Sequence, residues 1–165
     1  MTDSKRIFFV MGVSGTGKTT VGKLLAQTLS ISFFDGDDYH PKENIEKMAS
    51  GVPLNDDDRA GWLKSLNDLA KEQVSNGCVI ACSALKKKYR DILSEGIGQF
   101  VRFVYLKGSI SEIRERLENR KGHFMPKTLL QSQFDALEPP EGGITALISA
   151  SPEEIVRQVL EKIKS

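Results

Sequence analysis

Long apolar runs, an excess charge of either sign and a cysteine framework are all missing from this chain. No stretch approaches 18 consecutive apolar residues, so no segment is expected to span a membrane. Lys and Arg number 23 against 22 Asp and Glu, a net charge of +1. That balance argues against nucleic-acid and membrane partners, because both demand clustered positive charge. The run Lys86-Lys87-Lys88 is the local exception. Cys78 and Cys82 stand four apart in an apolar run without a metal-ligand pattern around them, so both are expected on one buried strand face. The start MTDSKRIFFVMG leads directly into a strand pattern and has no small-residue cleavage site, so no secretory leader is expected. Together these absences point to a cytoplasmic location.

What is present is an ordinary globular composition, 39% apolar and 27% charged over 165 residues, without repeats or low-complexity linkers. One domain over 1–165 is the simplest organisation. Apolar runs at 6–12, 31–35, 78–83, 100–106 and 144–149 read as strands, and amphipathic periods between them read as helices. Region 36–58 is polar, and a helix is expected from about Arg59, with Trp62, Leu63, Leu66, Leu69, Ala70 and Val74 as its stripe. Ser109 with Glu112, and Ser151 with Glu154, have capping-box spacing. Five strands without polar alternation imply a parallel sheet covered by helices on both faces. The polar motifs all follow strand ends, where ligands of such sheets gather.

Gly12-Val13-Ser14-Gly15-Thr16-Gly17-Lys18-Thr19 matches G-x-x-x-x-G-K-[ST] between a strand and a helix. Glycines there let successive N–H groups turn inward, and the helix aims its positive end at an anion. These residues and Thr20 are therefore expected to hold the phosphates of ATP, with Lys18 at the terminal phosphates and the Thr19 hydroxyl on Mg²⁺. There is no N-K-x-D tetrad and no D-x-x-G after the third strand, which argues against a GTPase-like switch. A nucleotide-binding module without an acceptor stays open as the other class.

The stretch FFDGDDYHP (33–41) follows the second strand. Transfer of a phosphoryl group requires a hydroxyl held in line and relieved of its proton, and Mg²⁺ requires anionic support through water. Asp37 is expected to serve as the base and Asp35 as the water-mediated metal partner, with His40 a candidate for substrate contact. In CSALKKKYRD (82–91), Lys86 and Arg90 are spaced to share a helical face toward an anionic acceptor, and Arg59 is a further candidate. The basic segment RLENRKGHFM (116–125) reads as a lid that excludes water. Within it, Arg120 is expected to place charge on the migrating phosphoryl group and His123 to face the substrate. Arg116 is expected at the adenine or the phosphates.

Beyond the phosphate motif, the stretches NIEKMASGVPLNDDDR (44–59), WL (62–63), CSALKKKYRD, RKGHFMP (120–126) and LLQSQFDALEPP (129–140) resemble the small gluconate kinases over nearly the whole chain. The resemblance implies a three-layer α/β/α P-loop kinase fold: a five-stranded parallel sheet in order 2-3-1-4-5 with a mobile lid at about 120–138 and an acceptor region at 36–77. It implies transfer from ATP to D-gluconate, giving ADP and 6-phospho-D-gluconate, with Mg²⁺ as cofactor and a homodimer as assembly. Charge and spacing alone reach a small hydroxylated anion. A shikimate-kinase-like enzyme is the competing kinase reading.

Overall fold

Five strands carry the chain's most apolar segments: β1 (Ile7–Met11), β2 (Ser32–Asp35), β3 (Cys78–Ala81), β4 (Val101–Lys107) and β5 (Ile144–Leu147). They form one sheet in the order β2-β3-β1-β4-β5, and every neighbouring pair is parallel. This is the order that the resemblance implies. The structure, a computed structural model, describes residues 6–119 and 127–164.

Side chains of β1 alternate between two apolar layers, as a strand period of two requires. Phe8 and Val10 pack with Val21 and Leu25 of α1 (Lys18–Leu29) and with Ile155 and Val159 of α7 (Pro152–Lys164). Ile7, Phe9 and Met11 pack on the other side with Trp62, Leu63 and Leu66 of α3 (Asp56–Glu72) and with Leu93 of α4 (Lys87–Ser94). Both cysteines belong to this second layer, on one face of β3 and its extension as expected; they are free and buried, and burial pushes each thiol up to about 12. The remaining helices are α2 (Lys42–Ala49), α5 (Ile110–Asn119) and α6 (Lys127–Ala136).

Four details differ from the sequence expectations. The polar region 36–58 is not all loop, because α2 forms within it. Ile45, Met48 and Ala49 have helical spacing, but Ile45 is 52% exposed and the residue the helix buries is the polar Asn44, so this short stripe joins neither core layer. Helix α3 starts at Asp56 rather than near Arg59. Asn55 caps it, accepting from Asp58 N at 2.8 Å while Asp58 Oδ2 accepts from Asn55 N at 2.9 Å. The acidic run belongs to the first turn, where it complements the helix dipole. The Ser109–Glu112 box forms in full, but at α7 Ser151 Oγ accepts from Glu154 N while the Glu154 carboxylate pairs with Arg157. Finally, edge strand β5 alternates buried and exposed, with Leu147 57% exposed, so the sheet is not covered on both faces at its edge.

Candidate active site

The carboxyl end of β1 opens into the glycine-rich loop. Gly12, Gly15 and Gly17 take φ of 148°, 86° and 91°, a region that L side chains rarely adopt. A Cβ on Gly12 would lie 2.8 Å from Leu106 O, and one on Gly15 would lie 2.9 Å from Ile113 Cγ2. The loop is braced from within: Val13 and Thr16 are buried, and Thr16 Oγ1 donates to Val13 O at 2.9 Å. Gly17 caps α1 without a side-chain hydrogen bond, and no acidic residue stands in the first turn of that helix. The first-turn N–H groups therefore face no competing carboxylate of their own helix, unlike those of α3. That is the donor set an anionic phosphate chain fits.

Lys18 Nζ donates to Gly12 O and Val13 O, both at 3.0 Å, which curls the side chain over the loop. Burial lowers its pKa, while Asp37, Cys82 and Asp35 oppose that shift. Thr19 and Thr20 are exposed on the first turn of α1. Thr19 Oγ1 donates to Asp35 Oδ2 at 3.3 Å, bringing together the two groups expected around a cation. A hydroxyl beside a carboxylate suits Mg²⁺, a hard ion that keeps several waters and takes phosphate oxygens. Arg116 lies beside the cradle, donating through Nη2 to Ile148 O and through Nη1 to Thr16 O at 3.5 Å.

The acceptor side is assembled by the 3₁₀ turn Gly36–Tyr39 after β2. Asp35 Oδ1 accepts from Asp37 N at 3.0 Å and so holds the turn that carries Asp37. Glycine is required at 36 by close approach: a Cβ would lie 2.4 Å from Ala81 O. Asp37 is 80% exposed at its side chain and faces the cleft. Its pKa is raised, chiefly because the cleft walls displace solvent; Lys18 pulls it down, and Asp35 and Asp38 push it up. Water in the open cleft tempers that rise.

His40 is buried and stacks on Trp62 with ring centroids 3.9 Å apart. Trp62 Nε1 donates to Gly36 O at 2.7 Å, fixing the platform to the turn. Asn44 Nδ2 donates to Asp58 O at 2.8 Å and lies 3.2 Å from His40 Nδ1. A carbonyl can only accept, so the amide orientation is set and Nδ1 is the acceptor. The His40 proton therefore sits on Nε2, 3.8 Å from Asp37 Oδ1. Burial, helped by the Arg59 charge, lowers the His40 pKa to about 4, so the ring is neutral near pH 7 and contributes hydrogen bonding rather than charge.

Arg59 is held by Leu54 O at 2.5 Å and Tyr89 Oη at 3.1 Å, with its guanidinium 5.2 Å from the Tyr89 ring centroid. Tyr89 in turn donates to Asp56 Oδ1 at 2.6 Å. Lys18, Asp37, His40, Arg59, Ser83 and Gln133 line one cavity of about 330 Å³, within the range of small-molecule sites.

The structure separates Lys86 from Arg90. Lys86 is the N-cap of α4, in extended backbone at φ −110°, ψ 149°, so the helical i,i+4 relation does not apply to the pair. Its Nζ lies 5.8 Å from the Tyr89 ring centroid, and Lys86 is not among the residues that line the cavity with Lys18 and Asp37. Arg90 is buried, donates to Ala84 O at 2.7 Å and Glu138 O at 2.9 Å, and lines a different cleft with Pro139 and Phe103. It is not among the residues that line the cavity with Lys18 and Asp37. Lys87 and Lys88 pair with Asp91 and Asp56. Arg120, Lys121 and His123, with the first part of the expected lid, lie outside the described residues.

The model of the shikimate kinase family matches residues 14–164. The chain is 49% identical to a Mus musculus protein named "Probable gluconokinase", over 96% of this chain and 97% of that one. It is 46% identical to the thermoresistant gluconokinase of Escherichia coli strain K12, over 96% and 93%. The crystal structure of a gluconokinase from Sinorhizobium meliloti 1021 superposes with a TM-score of 0.87 at 41% identity, covering 99% of this chain and 94% of that one.

The chain belongs to the gluconokinase family. The shikimate kinase model matches from Ser14 onward, after β1 and Gly12, whereas the near-full-length identities given above are to gluconokinases. In this member of the family, sequence reasoning missed three contributors. Trp62 read as core stripe, although its ring nitrogen anchors the Asp37 turn. Asn44, the buried polar residue of α2, fixes the His40 tautomer. Gln133 is the polar position in the α6 stripe of Leu129, Leu130, Phe134 and Leu137, and that interruption was its signal.

Proposed function

We propose that this protein transfers the γ-phosphoryl group of ATP to a hydroxyl of D-gluconate, forming ADP and 6-phospho-D-gluconate. The observation that carries the reading is the shared cavity, in which a phosphate-loop lysine, an aspartate with raised pKa and a tethered arginine face one space. Asp37 accepts the proton of the acceptor hydroxyl, whose oxygen bonds to the γ-phosphorus as the bond to the β,γ-bridging oxygen breaks. Lys18 and the loop N–H groups stabilise the charge that develops on the phosphates. Mg²⁺, held by Thr19 and by Asp35 through water, would supply charge neutralisation at the phosphate oxygens.

Arg59 is the cation for the sugar-acid carboxylate, because Tyr89 and Leu54 O aim its guanidinium into the cavity; Lys86 adds charge nearby. Arg90 acts as a positioning residue for the β3–α4 connection instead. His40 offers its Nε2–H toward the substrate hydroxyls and Asp37. Arg120 supplies charge to the migrating phosphoryl group and His123 contacts the substrate, the roles their basic segment suggests, and Arg116 steadies the nucleotide side. Residues 1–165 act as one kinase domain, cytoplasmic and homodimeric. No helix among the described residues is long and apolar enough to cross a membrane.

The test is mass-spectrometric detection of phosphorylated product from ATP, Mg²⁺ and a panel of hydroxy acids. Gluconate is expected to be converted with stoichiometric ADP. Conversion of shikimate in preference to gluconate would overturn the substrate assignment, and ADP release indifferent to every acceptor would favour a nucleotide-hydrolysing module.

A further inference from the structure

Gln133 of α6 reaches across to the phosphate loop. Its Oε1 accepts from Ser14 N at 2.7 Å and its Nε2 donates to Ser14 Oγ at 3.1 Å. A main-chain N–H in such a loop is a donor suited to a phosphoryl oxygen. Here a carboxamide oxygen occupies that hydrogen-bonding direction, standing in chemically for the phosphoryl oxygen. One hydrogen cannot serve both acceptors at full strength, so the side chain and the phosphate compete for it.

The location says which phosphate is concerned. Ser14 and Gln133 both line the cavity that holds Asp37, so their contact stands beside the acceptor space. In-line transfer demands that the terminal phosphoryl group present itself on that side. The far end of α6 is tethered separately: Glu138 N donates to Leu85 O at 2.7 Å, Lys87 N donates to Glu138 Oε1 at 2.9 Å, and Arg90 Nη2 donates to Glu138 O. Release of Ser14 therefore leaves the α6–β5 connection anchored to the β3–α4 loop.

We infer that Gln133 is a competitor of the terminal phosphate for Ser14: its carboxamide holds the Ser14 N–H until ATP arrives and then cedes it to a γ-phosphoryl oxygen. ADP brings no such oxygen and leaves the contact in place. The contact thereby weakens the triphosphate and not the diphosphate, narrowing the affinity gap between them from a residue outside the G-x-x-x-x-G-K-[ST] motif. The inference rests on the ATP reading of the loop but is independent of the identity of the acceptor.

The experiment is calorimetric titration of the full chain, and of the Gln133→Ala and Gln133→Glu variants, with Mg-ADP and with the Mg²⁺ complex of β,γ-imido-ATP, without acceptor. Removing a competing hydrogen bond should tighten the imido analogue in Gln133→Ala by about threefold to tenfold, with ADP within about twofold of the parent. Gln133→Glu keeps a competing acceptor and adds repulsion, so the analogue should weaken by about tenfold or more while ADP changes far less. Melting temperatures of the variants check that the fold persists. Unchanged or weaker analogue binding in the alanine variant, equal shifts for both nucleotides, or a glutamate variant that binds the analogue as tightly as the alanine variant would each overturn the inference. Failure of the parent protein to bind either nucleotide would overturn the inference and the phosphate-cradle reading together.

Discussion

Asp37 and Lys18 occupy opposite sides of one proton-and-charge transaction, and their variants should separate it. Lys18→Ala removes stabilisation of the phosphates and is expected to lower kcat by about 10²-fold or more, with circular dichroism unchanged. Asp37→Asn keeps the shape and removes the base, so kcat should fall by about 10²–10⁴-fold while the KM for ATP moves little. A variant with normal kcat would remove Asp37 from the chemistry. Because the Asp37 pKa is raised, the acid limb of the kcat/KM profile should lie above the usual carboxylate range and belong to this residue. The two arginines should part company in the same assays. Arg59→Ala is expected to raise the KM for gluconate by about tenfold or more through loss of a charged hydrogen bond. Arg90→Ala should instead destabilise the fold by about 1–3 kcal/mol by orphaning buried carbonyls, with that KM within twofold. The phosphate motif was legible at this scale because glycine spacing encodes backbone geometry directly. The Lys86–Arg90 pairing was misread because a four-residue spacing means one face only inside a helix, and Lys86 stands just outside it.

Helices α2 and α3 form the acceptor wall, and their stability is tied to pH and to a cap. His40 is neutral in the folded protein down to about pH 4, whereas the unfolded chain binds that proton near 6.5. Between these values the unfolded state carries more protons, so stability is present above about 6.5 and lost as pH falls toward 4. The loss attributable to this ring is on the order of 3 kcal/mol, at about 1.4 kcal/mol per pH unit. His40→Phe preserves an aromatic stack on Trp62, and urea denaturation across this window should show a flatter pH dependence than the parent; an equal slope would clear His40 of the effect. Asn55→Ala should cost about 1 kcal/mol by opening the α3 capping box, read from the denaturation midpoint. Helix α3 was visible in the sequence through its apolar period, but α2 was not. Its short stripe of Ile45, Met48 and Ala49 belongs to neither core layer, and Asn44 and Lys47 fasten it to Asp58 by hydrogen bonds that a hydrophobic pattern cannot report.

For the whole molecule, the parallel sheet brings β1, β2 and β3 to open on one side, so cradle, carboxylates and acceptor wall converge without any of them being close in sequence. Binding of a triphosphate to that convergence should stabilise the fold as a unit. At about 100 times its Kd, the Mg²⁺ complex of β,γ-imido-ATP should add about 2.7 kcal/mol and raise Tm by about 5–10 °C for a chain of this size. No shift at that saturation would contradict the binding site. Strand order was accessible through family resemblance, whereas the exposed alternation of β5 was hidden because, of its two exposed positions, Thr145 is polar but Leu147 is apolar.

The interior placement of Cys78 and Cys82 has a practical corollary. Neither sulfur can meet a thiol-directed probe in the native enzyme, so labelling becomes a clock for global opening: alkylation should track the unfolding rate, and native activity should survive reagents that inactivate enzymes bearing surface thiols.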